Sequence, residues 1–407
     1  MATSTLTLNL NKLPPIFASK LLNAFFARFL AGGGLEYDEA NSTIKCVDCK
    51  EFKERLVNYV NSDELNNVLS RLFQPIDGFS SGACLKGRGM AKVQDLIKSL
   101  INDRLRIEDI FEELGSTEIY QEGGEEGMGG ITASIKWGRQ TYGWIPGRLT
   151  PSIISSIDFM EGVRAWPQSI LNVVEKHGRR KSVEIKAGVY KNVEVSCLVY
   201  TLVVLGYSSS VITRFGPDAY LFFIPMTLNR DLVVRFVSAR SKLSELLRGI
   251  NINEVPEHLY HLLIASVVRV WGGAVELVWA ESGGGRNFMV TRELVVDLLN
   301  YKPLVEALIV NDKEGLFTEF VVQVIRDYTS NDKDRVNRAK PFVDVLRGLL
   351  MVTLGIGSTE QALYDALLTL RMIKPEQIGD VGIYNWALSR LGRMIQGTYE
   401  NVKYAIA

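Results

Sequence analysis

Residues 358–372, STEQALYDALLTLRM, limit the fold more than any other part of the chain. Ser358 can cap a helix and Gln361 stands three residues on, as a capping box requires; Ala362, Leu363, Ala366, Leu367 and Leu370 then fall on one face. KPFVDVLRGLLMV before it and IYNWALSRLGRMIQGTYENV after it are patterned in the same way. Such helices do not persist alone in water; they hold by burying one another's apolar faces. Residues 293–407 are therefore expected to form a helical bundle.

The preceding residues, 1–292, read as an irregular, mixed region with hairpins, so the fold class is α+β. TLTLNLN alternates as a strand does, PPIFASKLLNAFFARFLAGGG is a helix stopped by glycines, and LEYDEANSTIKCV is a hairpin with a polar turn. Helices are expected near 50–60 and 63–73, with helical spacing again over 91–114. GGEEGMGGITASIKWGRQTYGWIPGRLTP is a long loop or irregular hairpin. VEVSCLVYTLVVLG is an apolar helix or buried segment, followed by SSVITRFGPDAYLFFIPM, a hairpin turning at Gly216-Pro217-Asp218. Two further helices, RDLVVRFVSARSKLSELLRG and VPEHLYHLLIASVVRVWG, precede AVELVWAESGGGRNFMVT, a hairpin turning at Gly283 to Gly285.

Lys+Arg and Asp+Glu are both 46, so net charge says nothing about partners and local charge has to decide. No run of about 18 uncharged apolar residues is present, which argues against a membrane span, and the first residues lack the basic-then-apolar order of a signal peptide. Four cysteines do not make a disulfide scaffold; a reducing, cytoplasmic setting is expected.

SSGACLKGRGMAK, residues 80–92, crowds Gly82, Gly87 and Gly89 among Lys86, Arg88 and Lys92. Gly82 and Gly87 have the spacing of a phosphate-cradling loop, but Arg88 stands where lysine is required and Gly89 where a magnesium-binding hydroxyl is required. A nucleotide-hydrolase reading is rejected. What is left is either a loop offering backbone N–H groups and cations to a nucleic-acid phosphate, or a solvated surface turn.

Charge is sorted along the neighbouring sequence. No Lys or Arg lies between Arg106 and Lys136, an interval holding Glu108, Asp109, Glu112, Glu113, Glu118, Glu122, Glu125 and Glu126. Lys136, Arg139 and Arg148 follow in an acid-free stretch, interleaved with Trp137, Tyr142 and Trp144. Residues 164–192 then carry seven basic residues, Arg179, Arg180 and Lys181 among them, against Glu175 and Glu184. Aromatic rings that stack on bases beside cations that pair with phosphates suit nucleic acid; the competing reading is core aromatics and a solvated charged face. The nominated nucleic-acid-binding residues are Lys86, Arg88, Lys92, Lys136, Arg139, Arg148, Arg179, Arg180 and Lys181.

Catalytic chemistry finds little support. Cys46 and Cys49 form one Cys-x-x-Cys pair, whereas structural zinc usually takes two, and neither Cys84 nor Cys197 belongs to a second. His258 and His261 are three residues apart with no third ligand evident. No Gly-x-Ser-x-Gly elbow is present. No catalytic residue, metal or cofactor is assigned.

The order of parts resembles a known family. An irregular α+β region is followed by CLVYTLVVLGYSSSVITRFGPDAYLFFIPMTLNRDLVVRF, which reads as an apolar helix ending in Leu-Gly, a strand pair and a loop into a helix; a helical C-terminal region follows. This resembles the large subunit of type I CRISPR interference (Cascade) complexes, most closely the compact type I-A form. The resemblance implies a non-catalytic subunit beside the 5′ end of the guide RNA that contacts the neighbouring Cascade subunits. Such a subunit helps read the protospacer-adjacent motif in target DNA, holds the displaced strand of the R-loop and helps recruit a separate helicase–nuclease. Base pairing there reads the sequence, and protein reads the short motif and the shape. Some relatives carry a zinc site; this chain has a single Cys-x-x-Cys. Two other classes compete: a nuclease or nucleotide-hydrolysing enzyme with an unrecognised site, and an assembly protein that binds no nucleic acid. From the departures at Arg88 and Gly89, the purified chain is expected to release no phosphate from ATP. Hydrolysis that disappears on changing Lys86 or Arg88 would overturn this.

Overall fold

The computed structural model describes residues 6–13, 17–72, 97–98, 101–102, 105–115, 118–123, 131–137, 140–147, 173–175, 197–215, 219–282, 288–379 and 381–406. It is an α+β protein, with small sheets in its N-terminal part and helices beyond. Two compact units are present: Met1–Val234 with Leu277–Glu293, and Arg235–Glu276 with Leu294–Ala407.

The first unit opens with β1 (Leu6–Asn9), α1 (Phe17–Leu30), β2 (Leu35–Asp38), β3 (Thr43–Cys46), α2 (Cys49–Val60) and α3 (Asp63–Leu72). The expected hairpin is β2–β3, and β1 joins it in the order β1-β3-β2. Next come α4 (Ile107–Gly115) and the antiparallel strands β4 (Glu118–Gly123), β5 (Ile131–Trp137) and β6 (Gln140–Gly147). The short β7 (Val173–Glu175) precedes α5 (Cys197–Ser210), β8 (Val211–Arg214) and β9 (Ala219–Pro225). β8 and β9 pair as the expected hairpin; its Gly216-Pro217-Asp218 turn lies outside the described residues.

α6 (Arg230–Leu246) carries the chain into the second unit, where α7 (Glu257–Val268) follows. β10 (Ala274–Ser282) and β11 (Phe288–Asp297) complete a five-stranded sheet in the order β7-β11-β10-β9-β8, with β11 parallel to β7. β11 runs to Asp297, six residues past Thr291, where the last expected strand signal ends. Leu294 and Val296 are buried there while Val295 and Asp297 are exposed, the period-two alternation of a half-buried strand. Only helices follow: α8 (Lys302–Asn311), α9 (Leu316–Tyr328), α10 (Lys333–Leu354), α11 (Thr359–Met372), α12 (Pro375–Ile378) and α13 (Gly382–Ile406). Ser358 caps α11 as read, its hydroxyl accepting the Gln361 N–H at 3.2 Å. The second unit is thus not the C-terminal residues alone; it also takes in Arg235–Glu276.

The first unit is built around α5. Residues 201–210 are buried on every side, so this stretch of the helix has no solvent face. It does not end at Leu205-Gly206 but continues to Ser210. Gly206 is there because the α1 backbone passes against it: a Cβ would lie 2.1 Å from the Leu21 carbonyl oxygen. The serines that follow are accommodated by returning their hydroxyls to the helix, Ser208 and Ser209 to Leu205 O at 2.8 and 2.7 Å and Ser210 to Gly206 O at 2.9 Å. α1 ends where the Arg55 guanidinium donates to Phe29 O and Gly33 O. Arg28 lies over the Tyr59 ring and pairs with Glu64, and Tyr59 and Ser208 share a hydrogen bond of 2.7 Å.

The second unit surrounds α7, whose residues Leu259 to Ala265 are buried except His261. Its last carbonyls meet Arg269, which adopts a left-handed backbone at φ 50°. That conformation is unfavourable for a side-chain-bearing residue, and Arg269 is fixed in it by bonds to Ser266 O at 2.8 Å and the buried Asp312 carboxylate at 3.1 Å. Across the bundle the fully buried Asp327 of α9 accepts from Gln323, Arg335 of α10 and Tyr384 of α13, with Arg338 at 3.5 Å. Beside it Phe342 and Tyr384 stack with centroids 4.7 Å apart.

Gly206→Ala is expected to destabilise the protein by about 1–3 kcal/mol or more, because the added methyl meets backbone that cannot move aside locally. Urea unfolding measures this; an unchanged midpoint would sink the close-approach account of Gly206.

Candidate nucleic-acid interface

Of the nominated residues, Lys136 alone lies within the described part of the chain. Lys86, Arg88, Lys92, Arg139, Arg148, Arg179, Arg180 and Lys181 fall outside it, as do Cys84 and the Gly283–Gly285 turn. Lys136 sits on the central strand of β4–β5–β6, where its register partners are Glu118 and Thr141. The acidic stretch is therefore folded back on the basic one: Glu118 and Glu122 of β4 pair in register with Lys136 and Thr132 of β5. Residues far apart in the sequence are register partners across this sheet. The aromatic residues are distributed along the same pairing, Tyr142 opposite Ile135, Trp144 opposite Ser134 and Trp137 opposite Gln140, with a register shift between Ser134 and Ile135.

A cationic site that the sequence reading missed lies in the second unit. A cleft of about 410 Å³ is lined by Arg248, Asn251, Arg326, Ser330, Asn331 and Arg335, with no carboxylate lining it among the described residues. Two chain turns make its walls. One follows α6, where Gly249 turns the chain at φ 75° and the buried Ile250 and Ile252 anchor it. The Tyr260 hydroxyl of α7 donates to Ile252 O at 2.7 Å. The other turn joins α9 to α10. The Thr329 hydroxyl donates to Ile325 O, Ser330 Oγ accepts the Asp332 N–H, and the Asp332 carboxylate caps α10 by accepting the Asp334 N–H.

Each guanidinium is held differently. Arg335 donates through Nε to Asp327 Oδ1 at 2.8 Å and remains partly exposed. Arg326 donates through Nη2 to Leu246 O at 3.3 Å. Arg248 stands exposed beyond the end of α6. Helix C-termini favour cations, which suits Arg326 in the last turn of α9. Two other clefts are electrostatically mixed. One of about 510 Å³ includes Lys302 paired with Glu306, and one of about 310 Å³ includes Arg347 with Asp344 and Asp365.

The remaining candidates are occupied structurally. His258 Nε2 meets Val343 O at 3.2 Å and His261 Nδ1 meets the Tyr301 hydroxyl at 2.6 Å, so the two rings are committed to different partners. Cys46, ending β3, and Cys49, opening α2, are joined as a disulfide with Cα atoms 5.4 Å apart. No group of three or more metal-ligating side chains is present among the described residues, and none of their helices is long and apolar enough to cross a membrane.

No protein-family model, curated protein or solved structure matches the chain.

Burial holds the His258 imidazole below the ordinary histidine range, against the smaller opposing pull of its bond to Val343 O. The unfolded chain therefore takes up this proton first as the pH falls. Stability is intact above the ordinary histidine value of about 6.5 and is lost as the pH drops through the lower, folded value. His258→Gln is expected to lose less thermal stability than the parent between about pH 7.5 and 5.5. Equal losses would show that His258 is not the responsible group.

Proposed function

We propose that this chain is the non-catalytic large subunit of a type I CRISPR RNA-guided surveillance complex, of the compact I-A kind. The observation that carries this reading is the central order of elements. A buried apolar helix, α5, leads into the antiparallel pair β8–β9, a loop enters α6, and helices form the C-terminal region. That is the layout on which the resemblance rests. Two features support contact with nucleic acid: the glycine-rich and basic segments around Lys86, Arg88 and Arg179–Lys181, and a cleft whose charged lining residues are all arginines. On this reading the partners are guide RNA, target DNA, the other Cascade subunits and a separate helicase–nuclease. The work is done in the cytoplasm, and the chain itself performs no chemistry. Its contribution is to help recognise the protospacer-adjacent motif and to stabilise the R-loop.

The test is reconstitution of the complex with and without this chain, with binding measured on target DNA carrying or lacking the adjacent motif. The chain is expected to be required for motif-dependent binding. Lys86→Ala with Arg88→Ala, and Arg179→Ala with Arg180→Ala, are each expected to weaken binding. Loss of a phosphate contact lowers affinity for all DNAs and flattens the salt slope by about one unit. Loss of an arginine that reads a guanine edge costs about 1–3 kcal/mol, mainly on the correct motif. Equal motif-dependent binding by a complex lacking the chain would refute the proposal.

A further inference from the structure

We infer that the cleft between the α6–α7 turn and the α9–α10 turn is a phosphate site that takes the backbone of a nucleic-acid chain. This goes beyond the proposed function: it assigns a contact to the helical unit, rests on that unit's geometry alone and does not require the surveillance-complex reading.

Five observations carry it. Arg248, Arg326 and Arg335 line one cleft although Arg248 and Arg335 are 87 positions apart in the sequence. Planar guanidinium groups with several N–H donors match the oxygens of a phosphate better than single-point cations do. Their charge is only partly compensated. Asp327 engages Arg335 from its fully buried position, whereas Arg248 and Arg326 make no salt bridge with a described acid. Neutral donors, Asn251, Ser330 and Asn331, complete the lining. The volume lies in the range of pockets that receive small ligands, roughly 300–1,000 Å³. Finally, no aromatic side chain among the described residues lines the cleft, so none of them stacks on a base there. Recognition falls on phosphate oxygens and is independent of sequence.

The walls are also positioned before any ligand arrives. Ile250, Ile252 and the Tyr260 hydroxyl fix the first turn; the Thr329 and Ser330 hydroxyls and the Asp332 cap fix the second. A site whose donors are held in advance loses less freedom on binding.

The experiment uses the full chain and two probes, a fluorescent 20-residue oligothymidylate and inorganic phosphate. Arg248→Ala and Arg326→Ala are combined. Arg335 is left in place because its removal would strip Asp327 of a partner and confound binding with folding. Equal thermal midpoints for parent and double variant, without ligand, establish that the fold is intact. The double variant is expected to bind the oligonucleotide about tenfold more weakly. Its log-affinity against log-salt slope should be shallower by about 1.4, two contacts at about 0.7 each on a single strand. Arg248→Lys with Arg326→Lys should restore most of the slope, because charge is retained. Equal affinity and slope for parent and double variant would overturn the site while leaving the proposed function standing. Stabilisation of the parent by inorganic phosphate without oligonucleotide binding would identify a free-phosphate site and overturn the backbone assignment. A parent that responds to neither probe would overturn it altogether.

Discussion

Residues 201–210 of α5 have no solvent face and α7 is buried along most of its length, and the architecture of each unit follows from covering them. A helix apolar on every side is stable in water only when other elements enclose it. At 14 and 12 residues, both are also shorter than a membrane span of about 20 requires. α5 is enclosed in the first unit by α1 and the elements beside it, and α7 in the second by α8, α9 and α10. Covering α5 demands one concession, a glycine at 206, so that two helix backbones can approach within the space of a missing methyl group.

Burial alone does not fix how helices are fastened end to end, and here carboxylates do that. Asp327 gathers donors from α9, α10 and α13 onto one buried group. Burial, and after it the negative charge of Asp327, raises the Tyr384 phenol above its ordinary value. Asp312 plays the same part at the other end of α9, accepting the Phe317 N–H and holding Arg269. Leaving such a group buried without its partners is costly, so each imposes a specific arrangement on helices that apolar packing would tolerate in several. The arginine cleft is a consequence of the first of these fastenings, since Arg335 is oriented by Asp327 and the α9–α10 turn is held beside it.

The charge pattern shows why linear sorting is a poor guide to which residues the fold pairs. Residues 107–148 divide into an acidic run and the basic stretch that follows it. Antiparallel pairing of β4 with β5 then sets Glu118 across from Lys136. Conversely, Arg248 and Arg326 belong to no charge cluster in the sequence, and the cleft they share exists only because two helices end side by side. The function proposed here depends on cations, and their grouping in space is what binding will read.

The sequence by itself determined the α+β class, the β2–β3 and β8–β9 hairpins, the helices of the C-terminal part and the Ser358 cap. Each is written in local spacing, period two or period 3.6, or in a capping side chain that bonds within one turn. What tertiary structure decided is everything that depends on a neighbour distant in the chain. Gly206 reads as a helix stop until α1 is packed against it. Val295 and its neighbours extend β11 because one face meets the core. Arg235–Glu276 join the C-terminal helices in one unit by contact rather than by order. Arg248, Asn251, Arg326 and Arg335 carry no motif, since nothing local requires them to meet. A guanidinium and a phosphate interact through space, so the residues that make such a site need share no spacing along the chain.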